Sequence, residues 1–173
     1  MIPLDFNELL LRLGSAAGVG ALVGLNREIT QKPAGMRTHA LVSLGAALIT
    51  VVCLQFGLDS TPRDDGAVLR AIQGIITGIG FIGGGVILRL PAEETVLGLT
   101  TAATIWIVAG LGIACGFGAW DATIITAGLT LAVLVIGTRV EKAVRKMSPD
   151  SHPRRRSYDR LPVTELPPDK RSQ

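Results

Sequence analysis

Between Ala71 and Leu88 the chain carries no charged residue over eighteen positions, most of them Ile, Gly, Val, Leu, Phe and Ala. Coiled as a helix, such a run rises ~27 Å, close to the ~30 Å hydrocarbon core of a bilayer. Three more uncharged windows follow the same logic, at 38–58, 95–120 and 122–138. A fifth lies between Arg12 and Arg27. It reaches spanning length if it begins near Glu8, with Arg12 snorkelling to the surface. Spans are predicted at 9–26, 38–57, 68–88, 98–115 and 120–138. Five spans leave no room for a soluble domain. The expected fold is all-α, a polytopic membrane protein of five transmembrane helices whose first partner is the lipid bilayer.

Gly78, Gly80 and Gly83 form a G-x-G-x-x-G within the uncharged run. A dinucleotide fingerprint needs a preceding strand and an acid about 20 residues on. Twenty residues after Gly83 stands Ala103, and Glu93 and Glu94 come too early. The nucleotide reading is set aside. A secretory signal peptide is not expected either, because Asp5 and Glu8 stand where a basic leader would begin. Cys53 and Cys115 sit in apolar windows without C-x-x-C spacing and read as free thiols.

Charge predicts the topology. The stretch after Gly137 holds ten of the 17 Lys and Arg. Placing it inside also places Arg27, Lys32, Arg37 and Arg89 inside, and leaves only Arg12, Arg63 and Arg70 outside. The positive-inside rule therefore favours N-out, C-in. Residues 1–138 are expected to form the transmembrane domain. Residues 139–173 are expected to form a basic juxtamembrane segment, which "RVEKAVRKM" can continue as helix, followed by a disordered Pro/Arg-rich cytoplasmic tail. Trp106 lies ~12 Å into its span and is expected to pack between helices.

Small residues recur four apart at Gly14/Gly18, Gly20/Gly24, Gly74/Gly78, Gly80/Gly84 and Gly112/Gly116. In lipid, helices associate by close packing, and such faces let backbones approach. Gly24, Gly74, Gly78, Gly80, Gly83, Gly84 and Gly98 are the expected packing glycines. A sharper option has Gly83–Gly85 breaking the helix and exposing carbonyls to a cavity.

With this topology, polar residues converge on the cytoplasmic side. Arg27 and Glu28 close the first span, and Arg37, Thr38 and His39 open the second. Thr100, Thr101 and Thr104 begin the fourth. The bland reading is interfacial anchors. The functional one is a cluster of Arg27, Glu28, Arg37, Thr38, Thr100, Thr101 and Thr104, with Glu28 paired to Arg27 or Arg37. His39 has no second ligand at metal spacing and takes the same bland reading, an interfacial group.

No Asp or Glu lies in the middle of any span, which weakens a cation pathway, although carbonyls could still line one. No phosphate-binding G-x-x-x-x-G-K-[ST], nucleophile elbow, metal-spaced histidine pair or nucleic-acid module is visible. No enzyme, cofactor, metal site or nucleic-acid partner is expected.

"GALVGLNREITQKPAGMRTHALVSLGAAL" (20–48), "GIITGIGFIGGGVIL" (74–88) and "GLTTAATIWIVAGLGIACGFG" (98–118) resemble the membrane domain of the MgtC/SapB family. The resemblance covers nearly all of 9–138, in the same order. It carries onto Gly24, Arg27, Glu28, Gly35, Arg37 and Thr38. It continues through Gly78, Gly80, Phe81, Gly83 and Gly85 to Gly98, Thr101, Ala102, Ala103, Thr104 and Trp106. Thr100 and Ile107 depart from some members, which have Asn and Cys there. Many members also have a folded ACT-like domain where this chain has its Pro/Arg stretch, so that domain's contribution is expected to be absent. The resemblance implies a multi-pass protein of the bacterial inner membrane that supports adaptation to low Mg²⁺ and is virulence-associated in pathogenic relatives. It favours a non-catalytic regulator of other membrane proteins, such as a transport ATPase or the ATP synthase, and a homo-oligomer. The alternative is a small Mg²⁺ or cation channel or carrier.

Overall fold

A computed structural model describes residues 5–59, 65–90 and 95–147. In chain order they form α1 (Phe6–Ile29), α2 (Met36–Asp59), α3 (Asp65–Val86), β1 (Leu88–Leu90), β2 (Thr95–Leu97), α4 (Leu99–Phe117) and α5 (Trp120–Met147). All five helices are long and apolar enough to cross a membrane, with candidate spans of 19 to 25 residues. The five-span, all-α expectation therefore holds, and α5 runs on through Arg139–Met147. The chain divides into units Met1–Gly137 and Thr138–Gln173. In the second, Thr138–Met147 is helix, and the predicted disordered tail lies outside the described residues.

The element order contains one surprise. β1 and β2 pair antiparallel between α3 and α4, with Arg89 opposite Val96. Three-residue strands are below what helix-period reasoning detects, and the β-branched pair Thr95 and Val96 suits the ladder.

α4 is the central helix. Half of its most apolar window is buried, against 17% for α3 and α5. It packs on α1, α2 and α3. Ile105 and Ala109 face Ile75 and Ile79 of α3 and Ala46 of α2. Val108 and Leu111 join Val23 of α1, and Ala127 and Leu134 of α5 complete that cluster. Trp106 points the other way and is 49% exposed, contrary to the expectation that it packs between helices. The helical period explains this, because the flanking Ile105, Val108 and Ala109 already take the inward face.

Two glycine pairs approach α2. A Cβ on Gly20 would meet the His39 carbonyl oxygen, and one on Gly24 would come within 2.6 Å of the Met36 Cα. Further along the same stripe of α2, a Cβ on Gly112 would overlap the Ser43 carbonyl, and one on Gly116 would lie 2.7 Å from the Thr50 Cβ. Apart from Met36, the α2 positions involved are themselves small or polar. By contrast, Gly14, Gly18, Gly74, Gly78, Gly80, Gly84 and Gly85 have nothing within 4 Å of a built Cβ. α3 instead packs through Ile75 and Ile79. Gly83 sits at ordinary contact distance, 3.6 Å from the Ala102 Cβ. The helix passes unbroken through Gly83–Gly85, so the suggested break there is not found.

At the end where α4 turns into α5, Arg12 is partly buried between two helix ends. Its Nη1 donates to the Gly116 carbonyl at 2.7 Å, and Nη2 pairs with Glu8 one turn earlier. A cation at the carbonyl end of α4 is favourably placed for that helix's dipole. Gly118 ends α4 at φ 75°, a conformation glycine adopts without strain.

Candidate functional site: a buried arginine–histidine cluster

The opposite end of the bundle begins with the turn from α1 to α2. Thr30 closes α1 by donating its hydroxyl to the Asn26 carbonyl at 2.9 Å. The chain then reverses through Gln31 and Ala34, both left-handed at φ 54° and 57°. Pro33 stands between them. Glu28 reaches across this turn, and its Oε2 accepts from the Met36 amide at 3.1 Å. The carboxylate thus caps the first turn of α2, where free N–H groups and the positive dipole end favour an anion. Gly35 leaves room for it, since a Cβ there would approach the same oxygen to 2.9 Å.

Arg27, one position earlier on α1, turns inward and is only 3% exposed. Its Nη2 donates to the Thr101 hydroxyl oxygen at 2.6 Å, which ties α1 to the first turn of α4. Its Nε is buried and has no hydrogen-bond partner. Among the described residues no carboxylate pairs with it. Glu28 is engaged at α2, so the expected Arg27–Glu28 or Arg37–Glu28 pair is not among the contacts described. A guanidinium withdrawn from water without a counter-charge carries a desolvation penalty of several kcal/mol.

Beside it, His39 of α2 is fully buried. Its Nδ1 faces the Gly35 carbonyl at 2.9 Å, and because a carbonyl only accepts, Nδ1 is the protonated nitrogen. Nε2 lies 3.2 Å from the Thr104 hydroxyl, which also reaches the Thr101 carbonyl at 2.8 Å. In the neutral ring the single Thr104 hydroxyl proton serves Nε2 or the carbonyl, not both. The hydroxyl therefore has two competing acceptors, one on α2 and one on α4.

Of the predicted cluster, Arg27, Thr101 and Thr104 come together in the interior. Glu28, Arg37, Thr38 and Thr100 are exposed. Glu28, Arg37 and Thr38 line an open cleft of about 680 Å³ with Gln31, Lys32, Gly35 and Met36. Of the predicted packing glycines, Gly24 touches α2. Gly98, at φ 89°, faces the Val86 carbonyl, and Gly83 faces Ala102. Gly74, Gly78, Gly80 and Gly84 face away from the other described residues. The sequence reading missed His39, whose partner lies 65 positions on. Its signal was the helix order, which sets the start of α2 beside the start of α4. Among the described residues no group of three His, Cys, Asp or Glu is arranged to hold a metal ion.

Comparison with known proteins places the chain in a family. A model of the MgtC family matches residues 13–143. The chain is 41% identical to protein SrpB of Synechococcus elongatus over 95% of its own length and 91% of that protein. It is 36% identical to protein SapB of Bacillus subtilis (83% of this chain, 61% of that protein). It is 37% identical to protein MgtC of Salmonella typhimurium (80% and 55%). It thus spans most of SrpB but little more than half of SapB and MgtC. No solved structure matches.

Proposed function

Because this chain belongs to the MgtC family, we propose that it is a non-catalytic regulator in the bacterial plasma membrane, supporting growth when Mg²⁺ is scarce through contact with other membrane proteins. It is a multi-pass membrane protein. In the proposed orientation the Arg27 end of the bundle faces the cytoplasm, as the positive-inside rule favours. The observation that carries the reading is the outer face of α3. Gly74, Gly78, Gly80 and Gly84 leave its backbone bare over three turns, and Phe81 stands 87% exposed among them. A helix that packs inward through isoleucines and turns its small residues outward is suited to a second membrane helix at close range. That helix belongs to a regulated protein such as a transport ATPase or the ATP synthase, or to a second copy of this chain.

Growth of a strain lacking the gene, across limiting Mg²⁺, tests the role. The reading expects slower growth than the parent, restored by the wild-type chain and not by Gly78→Leu. Equal growth of deletion and parent would remove its support. Mg²⁺ flux into proteoliposomes holding only this purified protein, lost in Arg37→Ala, would replace the regulator with a transporter.

A further inference from the structure

Two helices begin side by side at the Arg27 end, and they are treated oppositely. The first turn of α2 receives the carboxylate of Glu28. The first turn of α4 receives a guanidinium. Gly98 is its N-cap and offers no side-chain acceptor. The first α4 amide with a backbone partner is Ala102, which donates to the Gly98 carbonyl at 2.8 Å, so the amides of Leu99, Thr100 and Thr101 have none in the helix. Onto this positive end Arg27 brings a full positive charge, 97% withdrawn from solvent, with its Nε donor unpartnered. Thr101 has spent a lone pair on Nη2 and still holds its own hydroxyl proton. The Arg27 Nε, the Thr101 hydroxyl proton and the first-turn amides of α4 are thus donors for which the described residues supply no acceptor.

Like charges converging on a helix N-terminus are unfavourable unless an anion joins them. We infer that Arg27, the Thr101 hydroxyl and the first-turn amides of α4 form a binding site for a phosphate group. Phosphate suits the site better than carboxylate because its oxygens point in several directions, and the donors here come from two helices. The site lies where the α4 span begins, at Leu99, which is the depth of lipid headgroups once the helix is inserted. Leu99 and Thr100, next in the chain to the buried Thr101, are exposed. The phosphate comes from an anionic phospholipid or from free inorganic phosphate. The site does not depend on the regulatory role, which the growth assay tests separately.

The test uses the full chain purified in detergent, as wild type, Arg27→Gln and Thr101→Val, the last nearly isosteric and retaining the buried charge. Phosphorus NMR of the purified protein counts retained phospholipid. Thermal unfolding with and without inorganic phosphate reads the free anion. The lipid source predicts about one phospholipid per chain in the wild type and loss of most of it in both variants. The solution source predicts a saturable rise in midpoint of about 5–10 °C at a hundred times Kd. Binding should be at least about tenfold weaker in Thr101→Val, the scale of one hydrogen bond to a charged group. If Arg27→Gln does not fold, Thr101→Val decides alone. A wild type that retains no phospholipid and ignores inorganic phosphate overturns the site. So does retention that is equal in wild type and Thr101→Val. A photo-crosslinker at position 100 that captures an acidic protein segment, with phosphate unable to compete, would also overturn it in favour of a partner's carboxylate.

Discussion

The glycines of α1 and α4 and those of α3 read alike as sequence and behave differently in space. Gly20/Gly24 and Gly112/Gly116 line one stripe of α2 from two different helices, at distances that admit no side chain. Gly74/Gly78 and Gly80/Gly84 repeat the same spacing and touch nothing among the described residues. The difference lies in what shares the helix face. On α4 the register of Gly112 and Gly116 also carries Thr104 and Val108, all buried toward neighbouring helices. On α3 the bulky residues Ile75 and Ile79 take the inward face and turn the glycines out. Spacing tells that a backbone can be approached; neighbouring residues tell which side approaches it.

The sharpest way to break this contrast is to fill a glycine in each class. Gly112→Leu drives carbon into the Ser43 backbone, which cannot rotate away as a side chain would. A loss beyond ~3 kcal/mol is expected, above ordinary overpacking, seen as aggregated protein on size exclusion. Gly98→Ala combines a left-handed φ of 89° with a clash against the Val86 carbonyl. It should cost at least ~1–2 kcal/mol and lower the thermal midpoint without abolishing the fold. Thr104→Val removes the hydroxyl between His39 and the Thr101 carbonyl. About 0.6–1 kcal/mol of stability should go, with a shifted His39 ring signal by NMR. The smallest effect on the isolated chain belongs to Gly78→Leu, which faces open space. Its stability should stay within ~0.5 kcal/mol of wild type, while cross-linking to membrane partners or to a second copy falls. If Gly78→Leu instead unfolds the chain and Gly112→Leu does not, the two classes have been assigned the wrong way round.

The five helices were legible because the charges are bunched, and uncharged windows of bilayer length admit one regular structure. What escaped was anything that depends on which helices touch. Arg27 and Thr101 were both singled out, but their contact spans 74 positions and needs α1 and α4 to be neighbours. Glu28 was expected beside an arginine, yet the tight turn through Gln31 and Ala34 brings the Met36 amide within its reach first. Arg12 is legible as a cation near a span end, but its partner, the Gly116 carbonyl, lies at the end of a helix and 104 positions away in the chain.

The glycine-lined seat of α2 also has a history in time. When the α1–α2 hairpin leaves the ribosome, only the contacts of Gly20 and Gly24 exist. The part supplied by α4 is complete only at Phe117, about 60 residues after α2 ends, or roughly 3–12 s later at ordinary synthesis rates of about 5–20 residues per second. Through that interval Ser43 already lies against Gly20, while Ala47 and Thr50, further along the same stripe, wait for Gly116.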